Sequence, residues 1–303
     1  MAVKVALIPN DFYVEGKGFE AVLDEVCAKE GVKYIEIAYL WGKSILDLNE
    51  AEIAKLHETL DTRGIKIGSI QTQIMKVIPT GTKLTKPGSK IMNRDHPFNV
   101  GRIDDAIRCA KEFDTKFIVT YSYFNFTIPK KLTEKYWQML FEDYARLVEK
   151  CEAAKKVMVV ECEGDTLVGD TATYLRLFDH FKSPNLKANL DLANFISHAG
   201  VFTRDDFDKL FPHIEYFHVK DRIFRKKGLL TKGILKKLFG SKAAVFGTGM
   251  VPWKEVLPWF VEKGFDGILS VEPHVHGDNK FNDAAKCVHN LIAMLKEFKI
   301  GFE

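Results

Sequence analysis

Eight short apolar runs alternate along this chain with segments of helical periodicity, and that alternation narrows the fold more than any other feature. The runs are VKVALIP (3–9), VKYIEIA (32–38), GIKIGSIQ (64–71), TKFIVTY (115–121), VMVVE (157–161), LKANLD (186–191), IEYFHVKD (214–221) and GILSVEP (267–273). Short runs that are apolar on both faces, bounded by polar or turn residues, read as strands buried inside a parallel sheet. Between them the periodicity predicts helices over 18–30, 49–63, 100–113, 132–155, 170–181, 203–211, 252–264 and 281–298. Thr203 is placed to cap one of these, Pro252 opens another, and Gly31, Gly64 and Gly264 sit where a helix should end in a left-handed residue.

Strand–helix units in strict alternation require a parallel sheet, and eight is the number that closes a (β/α)8 TIM barrel. The competing architecture, a doubly wound sheet, needs a phosphate-binding glycine loop after an early strand, and none of the first turns has one. No proline- or glycine-rich linker divides the chain, so residues 1–303 are expected to form a single barrel. Two connections break the rhythm, 72–99 and 222–250. In this architecture long connections after a strand sit over the C-terminal, catalytic face.

The last four runs each end on a group that can bind a metal: Glu161, Asp191, His218 and Glu272. Charge is costly inside a sheet, so ionisable groups collect where strands exit. Four such groups at one level on four successive strands converge at the barrel mouth. Three carboxylates and one imidazole suit a single divalent ion, Mn²⁺, Mg²⁺, Co²⁺ or Zn²⁺, with a bias to the harder ones. Glu161 and Glu272 are also the expected acid–base pair, able to remove and return a proton beside a metal-bound carbonyl. Glu163, His274 and His276 are additional candidates. Lys220 is expected to pair with Asp221 or to hold a substrate oxygen, and Arg222 to clamp a phosphate or carboxylate. Tyr121, Tyr123, Phe124, Trp41 and Trp253 could wall a sugar pocket or simply pack.

Several motifs carry a resemblance. HVKD (218–221), D-L-A-N-F (191–195) with the Ala-Gly that follows, G-T-G (247–249) before V-P-W, V-G-D-T (168–171) and G-I-L-S-V-E-P-H (267–274) resemble the xylose isomerase-like TIM-barrel family of sugar phosphate isomerases and epimerases. The resemblance implies Glu161, Asp191, His218 and Glu272 as ligands, Glu161 and Glu272 as the proton-transfer pair, and chains that often pair as homo-oligomers. Asn194 stands where many members have a second His, Cys162 where an Asn is more usual, and Thr248 where a Glu is common. The metal core is kept, and the substrate is where the differences fall. Asn194, Lys220, Arg222, Glu163 and His276 are the expected substrate-binding set.

Bulk properties set the outer bounds. A net charge of +3 is no electrostatic trap for nucleic acid. No window is long and apolar enough for a membrane span, and the apolar stretch in MAVKVALIPND is too short for a secretory signal, so none is expected. Five cysteines without a CxxC pair argue for a reducing compartment, so a cytoplasmic location is expected. The stretch 222–242 carries eight Lys or Arg and no acid. It reads as a lid for an anionic substrate, a surface for acidic partners, a membrane-surface helix or a plain solvated face. The leading function is a metal-dependent isomerase or epimerase of a ketose, sugar phosphate or related polyol, working through an enediolate. A dehydratase of a keto-inositol would begin with the same proton abstraction. An endonuclease IV-type nuclease needs more His ligands than Gln71, Tyr121 and Asn194 supply, and a metal-free binding protein would leave the cluster unmetallated.

Overall fold

The computed structural model describes residues 2–78, 96–124, 133–163, 166–224 and 241–303. Eight parallel strands close into a ring: β1 (Ala2–Leu7), β2 (Tyr34–Ile37), β3 (Lys66–Gln71), β4 (Phe117–Thr120), β5 (Val157–Glu161), β6 (Leu186–Asp191), β7 (Ile214–Val219) and β8 (Ile268–Val271). Each pairs with the next, and β8 returns to β1 with Val5 beside Leu269 and Leu7 beside Val271. A short C-terminal strand, Gly301–Phe302, adds to the start of β1. The expected TIM barrel is therefore the observed one.

Continuous hydrophobicity in the strands has a simple cause here. One face points into the barrel, where Ala6, Phe117, Val119, Val157, Val159, Tyr216 and Ile268 form a packed interior cluster. The other face meets the helices, as where Phe217 is surrounded by Trp253, Phe260 and Phe265. No face is left for water, so the period-two alternation of a half-exposed strand is missing.

The helices follow the periodic segments closely, at Glu50–Asp61, Thr133–Ala153, Thr171–Phe181, Arg204–Leu210, Trp253–Lys263 and Lys280–Glu297. Thr203 does cap its helix, in a reciprocal capping box with Asp206, and Gly31, Gly64 and Gly264 do adopt φ of 73°, 62° and 71°. Three details differ from the sequence expectation. The helix over 18–30 contains a π-helical turn at Leu23–Cys27, and the one over 100–113 is preceded by a separate turn, His96–Gly101, before Ile103–Glu112. An unexpected helix, Leu192–Ala199, follows β6 directly. Its cap is Asp191, whose Oδ1 accepts the Asn194 N–H at 2.9 Å, so one candidate ligand also starts a helix.

The strand over 214–221 stops at Val219, and Asp221–Ile223 instead pairs antiparallel with Lys242–Ala244. That two-stranded ribbon closes the base of the basic segment, whose residues Arg225, Lys226, Lys227, Lys232, Lys236 and Lys237 lie outside the described residues. So does most of the 72–99 connection. All five cysteines are buried and unpaired, and among the described residues no helix is long and apolar enough to cross a membrane.

Candidate metal centre

Glu161 is the last residue of β5, Asp191 the last of β6, His218 the fifth of β7, and Glu272 the first beyond β8. Strand register aligns them: Asp191 sits beside His218, and His218 beside Ser270, two residues before Glu272. All four are buried, and one ligand atom from each lies within 4.8 Å of the others. His218 Nδ1 is 3.3 Å from Glu161 Oε1 and 3.6 Å from Glu272 Oε2. Neither approach is aligned as a hydrogen bond. Glu161 Oε2 and His218 Nδ1 are buried without a hydrogen-bond partner, and Asp191 Oδ2 is met by the Lys220 ammonium. Buried polar atoms normally find partners, so two unpartnered atoms converging beside the Asp191 and Glu272 carboxylates fit a divalent cation. The donor set, oxygen with one imidazole, fits the same ions.

Lys220 is the cation that the protein itself supplies. It is 2% exposed, with Nζ 2.6 Å from Glu272 Oε2 and 2.5 Å from Asp191 Oδ2. The expected Lys220–Asp221 pair is therefore not formed. Asp221 turns the other way and accepts backbone N–H groups from Gly247, Gly249, Val251 and Arg222 at 2.8–3.1 Å. This explains the G-T-G motif: a Cβ at Gly249 would lie 2.1 Å from Asp221 Oδ1. A Trp253 indole N–H to the Lys220 carbonyl (3.0 Å) ties the same loop to the site.

The charges split the two glutamates. Burial pushes the Glu161 carboxyl above its usual range, only partly offset by His218. Burial acts on Glu272 in the same sense, but His274, Lys220 and His218 together hold it well below that range. His218 and Lys220 are pulled down by burial, and the carboxylates around them (Glu36 and Glu161 for His218, Asp191 and Glu272 for Lys220) raise both well above their ordinary values.

The substrate-binding candidates divide. Asn194 is at the centre, its Nδ2 donating to the Cys162 carbonyl at 3.1 Å and approaching Glu161 Oε1 at 3.5 Å. Glu163 lines the mouth, paired with Lys76 at 2.6 Å, and Lys76 also lies over the Tyr121 ring at 4.2 Å. Tyr121 receives a hydrogen bond from Gln71 at 3.4 Å. Arg222 is not brought into the cluster, because its guanidinium is engaged with Ser241 at 2.9 Å. His276 is exposed, and the structure does not place it with the ligands. The neighbouring histidine is the one that reaches them: His274 Nε2 is 3.1 Å from Glu272 Oε1 and 3.5 Å from Asp11 Oδ2. Of the aromatic candidates, Trp253 and Tyr123 are fully packed, Tyr123 against Asp143.

Sequence reasoning missed Glu36, Asp11 and Lys76. Glu36, in the middle of β2, is fully buried and meets His218 Nε2 at 2.9 Å. Its signal was present: a lone acid in the apolar run YIEI. Asp11 ends a single 3₁₀ turn, Pro9–Asp11, and Lys76 sits in a loop, where polar residues carry no such signal.

Among solved structures the chain is similar in fold to a D-tagatose 3-epimerase-like protein, at 17% identity and TM-score 0.70, covering 98% of each chain. It is likewise similar to a xylose isomerase domain protein from Planctomyces limnophilus, at 15% identity and TM-score 0.69, covering 98% of this chain and 97% of that one. A third is the IolI protein with a bound zinc atom, at 17% identity and TM-score 0.68, covering 98% and 96%. No curated protein matches the sequence. The family profile described as xylose isomerase-like TIM barrel matches residues 25–297, which include every strand from β2 to β8 and all four clustered ligand candidates. The chain belongs to the xylose isomerase-like TIM-barrel family.

Proposed function

We propose that this protein is a divalent-metal-dependent isomerase or epimerase of a ketose, sugar phosphate or related polyol. The observation that carries the reading is the convergence of Glu161, Asp191, His218 and Glu272 within 4.8 Å, with Glu161 Oε2 and His218 Nδ1 buried and unpartnered. When bound, the ion supplies a Lewis acid that polarises a carbonyl and stabilises the charge developing on its oxygen. Two carboxylates beside that position can act on the adjacent carbon, one taking its proton and the other returning one. Asn194 and the Lys76–Glu163 pair offer donors and an acceptor to hydroxyl groups. Lys220, anchored by Asp191 and Glu272, keeps the carboxylates close although their charges repel. Relatives that include an epimerase-like protein and a zinc-bound barrel support this reading.

Proton exchange tests it without knowledge of the product. Protein loaded in turn with Mn²⁺, Mg²⁺, Co²⁺ and Zn²⁺ is incubated in D₂O with a panel of ketoses, ketose phosphates and keto-inositols. Deuterium should enter beside the carbonyl of at least one, and Glu161→Gln and Glu272→Gln should abolish it. Exchange followed by loss of water would make the enzyme a dehydratase. No exchange with any compound in any metal form would sink the proposal.

A further inference from the structure

We infer that Glu36 is a positioning residue for the metal centre: it reserves Nε2 of His218 for itself and thereby presents Nδ1 to the cation. The inference rests on the metal reading above. Glu36 lies on β2 and His218 on β7, strands separated around the ring by β1 and β8, so the contact crosses the barrel interior. Both side chains are 0% exposed. Glu36 Oε1 is 2.9 Å from His218 Nε2, while the other carboxylate oxygen, Oε2, accepts the Tyr216 hydroxyl at 2.5 Å. Tyr216 and Ser69 hydroxyls are in turn 2.7 Å apart. The chain Ser69–Tyr216–Glu36–His218 therefore forms a polar floor directly beneath the ligands.

The two nitrogens of the imidazole are divided by this floor. Nε2 faces a carboxylate that can only accept, so Nε2 carries a hydrogen and donates it. Nδ1, with no hydrogen-bond partner, faces Glu161 and Glu272. A carboxylate behind a ligating histidine fixes ring orientation and makes the other nitrogen a better donor to metal. Tyr216 keeps the carboxylate from turning by occupying its second oxygen. A purely space-filling role would not need a charge, and a fully buried carboxylate is a costly way to fill space.

The test is a Mn²⁺ and Co²⁺ titration of the full chain as wild type, Glu36→Gln and Ser69→Ala. Gln keeps the shape and can still accept the Nε2 hydrogen, so what changes is the charge. Glu36→Gln should lose about 10–100-fold in metal affinity and shift the Co²⁺ ligand-field absorption. Ser69→Ala, two contacts further from the histidine, should keep both. Unchanged affinity and spectrum in Glu36→Gln would overturn the inference alone, whereas a wild type that binds no metal would overturn the reading beneath it. If Glu36→Gln does not fold, ¹⁵N-histidine NMR of the Zn²⁺-loaded wild type decides. Metal on Nδ1 with the proton on Nε2 is expected, and the reverse assignment overturns it.

Discussion

Lys220 holds the carboxylates of the centre together, since its ammonium stands between Asp191 and Glu272 while being 2% exposed. Removing one partner from such a buried group leaves uncompensated charge and typically costs about 3–5 kcal/mol. Lys220→Met should therefore destabilise the metal-free protein by an amount in that range, read as a lower melting temperature, and saturating Mn²⁺ should restore part of it. An unchanged melting temperature would show that the ion pair is not what offsets the carboxylate repulsion. The same residues set a pH dependence. Glu161 and His218 are held above their ordinary values, the first by burial, the second by Glu36 and Glu161 against burial. Protons therefore compete with a cation for these atoms more strongly than usual. Metal affinity should rise from mildly acidic to mildly basic buffer, as a calorimetric titration would show. A flat profile would contradict it. His276, close in sequence but exposed, should tolerate alanine with no change in metal content.

At the scale of elements, the strand ends are rigid because their outward faces are packed. Phe217, adjacent to His218 and fully buried, has ring centroids of Phe260 and Phe265 at 4.7 and 5.3 Å. Phe217→Ala should cost about 3–5 kcal/mol by chemical denaturation, from lost burial plus the cavity left behind. The helix that follows β6 shows why its strand end was only half legible. Asp191 stood out as a polar residue closing an apolar run, but a helix of eight residues presents barely two turns of periodicity. The carboxylate that caps it was therefore read as a ligand candidate alone. The Asp221 turn shows the opposite case. Its side chain looked like a partner for its neighbour Lys220, and chain proximity misled, because adjacent residues leaving a strand point in opposite directions.

At the scale of the molecule, closure of the ring is what turns four separated strand ends into one site. A ligand that binds only the folded form stabilises it by mass action, about 2.7 kcal/mol at 100 times its dissociation constant. The melting temperature should thus climb with Mn²⁺ concentration in the wild type and less steeply in Glu272→Gln. A melting temperature insensitive to all four candidate metals would count against a site at the barrel mouth.

The eight strands, the single barrel and the clustering of the ligand candidates Glu161, Asp191, His218 and Glu272 could be read in one dimension. Burial on both strand faces writes itself as apolar runs, and the cost of buried charge confines ionisable groups to their ends. What answers Lys220, which nitrogen of His218 faces the cluster, and the parts played by Glu36, Asp11, Lys76 and His274 could not. The Glu36–His218 contact alone joins residues 182 positions apart across the ring. Their pairing depends on the register with which β8 meets β1 and on which way each side chain leaves its strand. Arg222 and His276 make the same point in reverse: each lies within four residues of a ligand candidate, yet the chain has already turned away.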